Sequence, residues 1–181
     1  MTVILASQSP QRRRILQDLG LTFDVRPSDV PELSEGEPNA VAVANAVAKA
    51  SAITAASGDI VIGCDTVVAT DAGLWGKPVD RDDAERTLAH LDGITHRVVS
   101  GVAVIRDGQV QTATETTSVT FRPLSDAVVE RYLDSGEWEG RAGAYAIQGA
   151  GAVLVERVDG DLLNVIGLPV SALLRLAPDL V

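Results

Sequence analysis

The chain has 181 residues, 46% of them hydrophobic, 22% charged and 3% aromatic, the makeup of one globular domain spanning residues 1–181 and not of a disordered or repeat-built protein. Fifteen Lys plus Arg against 25 Asp plus Glu leave a net charge of -10, a field that opposes a nucleic-acid backbone as the main partner. No apolar run approaches the roughly 18 residues of a membrane span, and the opening Val3-Ile4-Leu5-Ala6 is too short for a signal peptide, with its arginines on the wrong side; the expectation is a soluble, cytoplasmic protein.

Val3 to Ala6 reads as a buried strand. Ser9-Pro10 then supplies a cap and a first-turn proline for a helix to about Leu19, which Gly20 ends. Leu21 to Val25 is a second short strand, followed by a loop rich in proline and acid from Pro27 to Glu37. Alanine-rich Pro38 to about Ala56 has apolar residues at helical spacing and places Asn45 and Lys49 four residues apart, on one face. Asp59 to Ala69 is apolar on both sides of a single Asp65, as an interior strand would be. Turns at Asp71-Ala72-Gly73 and Gly76-Lys77-Pro78 precede a helix capped by Asp80 and ending near Leu91. Two β-branched runs, Thr95–Arg106 and Gln109–Phe121, meet at Asp107-Gly108 and predict a long hairpin. Ser125 opens a helix to about Asp134, a glycine-rich passage leads to a strand over Ala152–Val158, and a last helix follows Pro169. Strands and helices mix without strict βαβ alternation, so the fold class is α/β with a mixed sheet.

One cysteine and two histidines exclude an internal disulfide and a structural zinc, so a metal would need oxygen ligands. Asp65 stands out because a carboxylate inside Ile-Val-Ile-Gly-Cys-Asp-Thr-Val-Val is costly to bury unless a cation or hydrogen-bond donors answer it. The plain alternative is a strand-end Asp bonded to backbone amides. Lysine occurs only at Lys49 and Lys77, beside small or turn residues and not on a charged helix face. Gly63, Asp65, Gly76 and Lys77 together suggest a cleft holding one acid and one base. Ser7 to Arg14 adds hydroxyls, a helix N-terminus and arginines at one strand-to-helix junction, an arrangement that binds phosphate. There is no Walker loop, no complete dinucleotide fingerprint and no nucleophile elbow. Cys64 reads as an inert strand residue, and His90 and His96 as surface or structural. Hydrolysis by activated water is the chemistry that remains.

Taken together, Leu5-Ala6-Ser7-Gln8-Ser9-Pro10-Gln11-Arg12, Gly63-Cys64-Asp65-Thr66, Gly76-Lys77-Pro78, Thr95-His96-Arg97-Val98, Ala142 to Gly149 and Val165-Ile166-Gly167-Leu168-Pro169 resemble the motifs of the Maf family, in the family's order. The resemblance implies a fold similar to that of the inosine triphosphatases, an elongated mixed sheet with helices around a central cleft, often paired as homodimers. It also implies hydrolysis of nucleoside triphosphates to the monophosphate and pyrophosphate. On this resemblance Ser7 and Arg12 bind phosphate, Lys49, Lys77 and Asp65 are catalytic, and Thr66, Tyr145 and Gln148 contact substrate. Magnesium or manganese would be held by Asp65 with Glu32. Gln11 departs from the family's usual Arg and removes one cation. Thr66 and Tyr145 resemble the branch acting on dTTP and UTP, the alternatives being the 7-methyl-GTP branch and a non-catalytic nucleotide-binding regulator of cell division.

Overall fold

A computed structural model describes residues 1–181. Its chain order is β1 (Val3–Leu5), α1 (Pro10–Asp18), β2 (Phe23–Val25), α2 (Pro38–Ser51), β3 (Ile60–Thr70), β4 (Gly73–Trp75), α3 (Arg81–Leu91), β5 (Thr95–Arg106), β6 (Gln109–Phe121), α4 (Asp126–Asp134), β7 (Val155–Asp159), α5 (Leu162–Ile166) and α6 (Val170–Leu176). Short 3-10 turns cover Ala142–Ala144, Ala150–Leu154 and Pro178–Leu180. The strands form one seven-stranded mixed sheet in the order β2-β1-β3-β5-β6-β7, with β4 paired to β3 off this path. β1 runs parallel to β2 and β3, and the other pairs are antiparallel.

Local chemistry accounts for most boundaries. Ser9 accepts the Arg12 N–H at the start of α1, and the helix closes as Gly20 donates to Gln17 and Leu21 to Leu16, with Gly20 left-handed at φ 75°. Asp80 caps α3 through the Asp83 N–H. The β5–β6 hairpin turns on Asp107 and Gly108 at φ 48° and 77°, the left-handed pair that a tight two-residue connection demands.

Three expectations shift. The helix predicted to Ala56 stops at Ser51, where Ile53 turns back to join the apolar cluster beneath α2. The strand predicted from Ala152 starts at Val155, because Gly149 to Leu154 close a 3-10 turn in which a side chain on Gly151 would collide with the Ala146 carbonyl. Ser125 sits at the N-cap of α4 without donating or accepting through its hydroxyl there. The sequence reading also passes over β4, three residues held by pairing with Val68–Thr70, and α5, capped by Asp161.

The sheet is buried on both sides near its middle. On β3, Ile60, Ile62 and Cys64 join the cluster with α1 and α6, whereas Val61 and Val67 pack beneath α2. That alternation of period two sends Asp65 toward α2 and Thr66 to the opposite face. α2 lies unusually close to the sheet. A Cβ on Gly63 would strike the Ala46 carbonyl, and one on Gly101 would strike the Ala42 carbonyl. Two glycines on neighbouring strands therefore set how far side chains of α2 reach.

Candidate active site

β5 flanks β3 along nearly its whole length, but the other flank is discontinuous. β1 covers Ile60–Ile62 and β4 covers Val68–Thr70. Between them, residues 63–67 have no strand neighbour on that side, and a cavity of about 420 Å³ opens against the gap. The nine residues to which the family resemblance gives a role all line this cavity.

One wall carries acid and base. Lys49 Nζ lies 2.6 Å from Asp65 Oδ1 and 2.8 Å from Glu32 Oε1, and Lys77 Nζ is 3.9 Å from the same Glu32 oxygen. Asp65 and Lys49 are 4% and 6% exposed, a depth at which a charge is retained only when paired. The second oxygen of Asp65 accepts from Asn45 Nδ2 at 2.9 Å. The sequence question of what answers the interior carboxylate thus has its reply in two side chains of α2, one helical turn apart. Lys77 is the exposed member; its turn is anchored where the Gly143 N–H donates to the Gly76 carbonyl.

The facing wall is cationic. Arg12 is buried, and all its hydrogen bonds go to neutral acceptors: Nε to the Gly167 carbonyl at 2.8 Å, Nη1 to Ser7 Oγ at 3.1 Å and Nη2 to Thr66 Oγ1 at 3.2 Å. It pairs with no carboxylate, so its charge is oriented but not neutralised, and an anion in the cavity would complete it. Thr66 in turn bonds Ser100 Oγ at 2.8 Å. Gly167, the left-handed residue ending α5, also accepts from the Cys64 thiol at 3.3 Å. Gln11, standing where a second cation was expected, instead accepts from Ser9 Oγ at 3.1 Å and supports the start of α1.

The remaining candidates divide. Gln148 is exposed on the rim and its amide makes no hydrogen bond, leaving it free for a ligand. Tyr145 reaches the cavity only partly: its hydroxyl bonds His96 Nε2 at 3.0 Å inside a cluster with Phe121. Burial raises the Tyr145 phenol and lowers His96 to about 4. Burial likewise raises Cys64, consistent with an unreactive thiol. His90 stacks on Trp75 at 4.2 Å, away from the cavity. Sequence reasoning placed Asn45 on the right face but gave it no task, and it passed over Ser100 and Gly167. Ser100 faces Thr66 only through the β3–β5 register, a nonlocal fact.

For a divalent ion the protein offers two carboxylates, Asp65 and Glu32, and no group of three His, Cys, Asp or Glu. Two oxygen donors beside an anion pocket fit magnesium, which keeps waters and takes phosphate ligands, and do not fit a resident zinc.

The model of the Maf-like protein family matches residues 2–180. The chain belongs to the Maf family. Among its relatives is the dTTP/UTP pyrophosphatase of Latilactobacillus sakei subsp. sakei (strain 23K), 41% identical over 187 residues, covering 96% of this chain and 97% of that protein. Proteins of the same name from Thermoanaerobacter sp. (strain X514) and Pyrococcus furiosus are 42% and 41% identical, each covering 96% of the Maf chain and 93% of the relative. A solved structure, the Staphylococcus aureus Ham1 protein, aligns with 67% of the chain at 14% identity and a TM-score of 0.44, a likeness too loose to inform the site.

Proposed function

We propose that this Maf chain hydrolyses dTTP and UTP to the nucleoside monophosphate and pyrophosphate, as part of nucleotide-pool housecleaning in the cytoplasm. The observation that carries the reading is Arg12, a buried guanidinium without a counter-ion, facing a cavity whose opposite wall holds Asp65 and two lysines. A triphosphate of about four negative charges is repelled by the net-acidic surface and drawn only to such a concentration of cations. The names of the relatives favour the pyrimidine triphosphates over 7-methyl-GTP.

In this reading Arg12, Ser7 and the N-terminus of α1 hold the terminal phosphates, while Lys49 and Lys77 balance the charge that builds as pyrophosphate departs. Asp65 orients a water toward the α-phosphorus and accepts its proton on a carboxylate oxygen. That oxygen has capacity to spare, since Lys49 and Asn45 occupy only part of the carboxylate's lone pairs. Asp65 and Glu32 would hold a magnesium or manganese ion, which would supply Lewis-acid stabilisation of the phosphates. Tyr145 contributes through its ring face, its hydroxyl being committed to His96.

The test mixes purified protein and magnesium with dTTP, UTP, 7-methyl-GTP and the three other common ribonucleoside triphosphates, reading pyrophosphate and orthophosphate separately. Pyrophosphate from dTTP and UTP is the expected product. Binding without any pyrophosphate would replace the enzyme with a nucleotide-sensing regulator. Light scattering of the same sample tests the homodimer.

A further inference from the structure

Asn45 makes contacts that none of the roles above uses. It is 3% exposed. Its Oδ1 accepts the Leu33 N–H at 2.7 Å and its Nδ2 donates to the Leu33 carbonyl at 3.0 Å, so one side-chain amide pairs with both main-chain groups of a residue in the acidic loop. The same Nδ2 donates to Asp65 Oδ2 at 2.9 Å. Leu33 is the residue after Glu32, and its own side chain is 57% exposed, so the loop is held here by its backbone and not by apolar packing.

We infer that Asn45 is a positioning residue that fastens the acidic loop over the cavity and, with the same head group, fixes the plane of Asp65. The inference rests on the hydrolytic reading of this site for its kinetic consequences only. The chemistry required is specific: one acceptor and two donors in a planar group, at the reach of a short side chain. Asparagine supplies that set; aspartate lacks the donors, and leucine lacks all three. The short reach works because Gly63 and Gly101 let α2 settle onto the sheet. One turn later, Lys49 takes Asp65 Oδ1 and Glu32. Two residues of one helix face therefore each touch both the loop and the interior carboxylate. Loop closure and Asp65 orientation are one event, so a loosened loop both releases Glu32 from Lys49 and frees the carboxylate to rotate.

The experiment compares Asn45→Ala, Asn45→Asp and Leu33→Pro with the wild type by amide hydrogen exchange of the free protein and by turnover of dTTP with magnesium. Leu33→Pro removes the N–H donor from the loop side and puts a ring carbon against Asn45 Oδ1, breaking the loop contact without replacing Asn45 or Asp65. Asn45→Ala is expected to lose protection at the Leu33 amide while β3 keeps its protection, and to lower kcat at least about tenfold. Leu33→Pro has no amide at 33 to report exchange and is read by kinetics, with a smaller kcat loss and a raised KM. Asn45→Asp, which puts a second carboxylate against Asp65, should turn over more slowly than Asn45→Ala, an order that a purely space-filling role would not produce. Unchanged exchange at the Leu33 amide in Asn45→Ala, or Asn45→Asp as active as Asn45→Ala, would overturn the inference. If Asn45→Ala fails to fold, Leu33→Pro decides the loop contact alone. If the wild type releases no pyrophosphate, the hydrolytic reading fails while the exchange data still decide whether Asn45 fastens the loop.

Discussion

His96 gives the protein a dependence of stability on pH whose size follows from its surroundings. The ring is 1% exposed, its Nε2 meets the Tyr145 hydroxyl, and its Nδ1 has no hydrogen-bond partner. No carboxylate lies there to balance an imidazolium, and burial lowers the group from 6.5 to about 4. The folded pKa lies below the unfolded one, so the unfolded chain binds more protons between these values. The stability is therefore complete above about pH 6.5 and is lost as pH falls toward 4. Taking both proton-binding curves from pH 8 down to pH 5 gives a loss of about 2 kcal/mol from this one residue. The stop at pH 5 stays above the isoelectric point near 4.5. His96→Gln keeps a polar partner for Tyr145 and does not titrate. Urea unfolding of both proteins at pH 8 and pH 5 is the assay, and the wild type should lose about 2 kcal/mol more than the variant across that interval. Asp59, Asp107 and Asp179, whose hydrogen bonds lower them further from ordinary values near 3.8, contribute equally to both and cancel. Equal losses, within about 0.5 kcal/mol, would refute the claim that His96 is held neutral by burial.

Four further outcomes are expected. Asp65→Asn should lower turnover of dTTP by about a hundredfold or more while Lys49 stays paired with Glu32; near wild-type pyrophosphate release would remove Asp65 from its role. Arg12→Lys keeps the charge but cannot span Gly167, Ser7 and Thr66 at once, so kcat/KM should fall about tenfold or more, measured against dTTP. Gly101→Ala should push α2 off the sheet, costing about 1–3 kcal/mol in urea unfolding and lowering activity in the same protein. Chelation with EDTA should abolish pyrophosphate release, and added magnesium should restore it without altering the far-UV spectrum, because the ion would meet only Asp65 and Glu32 at the cavity wall.

The parts of the molecule that the sequence exposes are those governed by near neighbours. The β5–β6 hairpin is legible because Asp107-Gly108 permits few other connections, and α1 and α3 because Ser9 and Asp80 act within four residues. Asp65 is legible because a lone acid among Ile, Val and Cys contradicts its surroundings, and the scarcity of lysine marks Lys49 and Lys77. What escapes notice depends on who sits beside whom in space. β4 and α5 are too short to carry a periodic signal and owe their form to pairing and packing. Without α5 there is no way to foresee that the Gly167 carbonyl would steady Arg12. The motif marks Tyr145 but not the tie between its hydroxyl and His96, a partner 49 residues away.

The break between β1 and β4 along the flank of β3 has one more effect. In an antiparallel strand, alternate peptide groups face alternate sides, so some N–H and C=O groups of residues 63–67 point into the opening and not at a neighbouring strand. These atoms belong to the polypeptide itself and survive any change of side chain that keeps the sheet intact. The N–H groups among them can meet an anion whichever residue replaces Arg12, Lys49 or Lys77, so affinity for a polyanion should fall in such variants without vanishing.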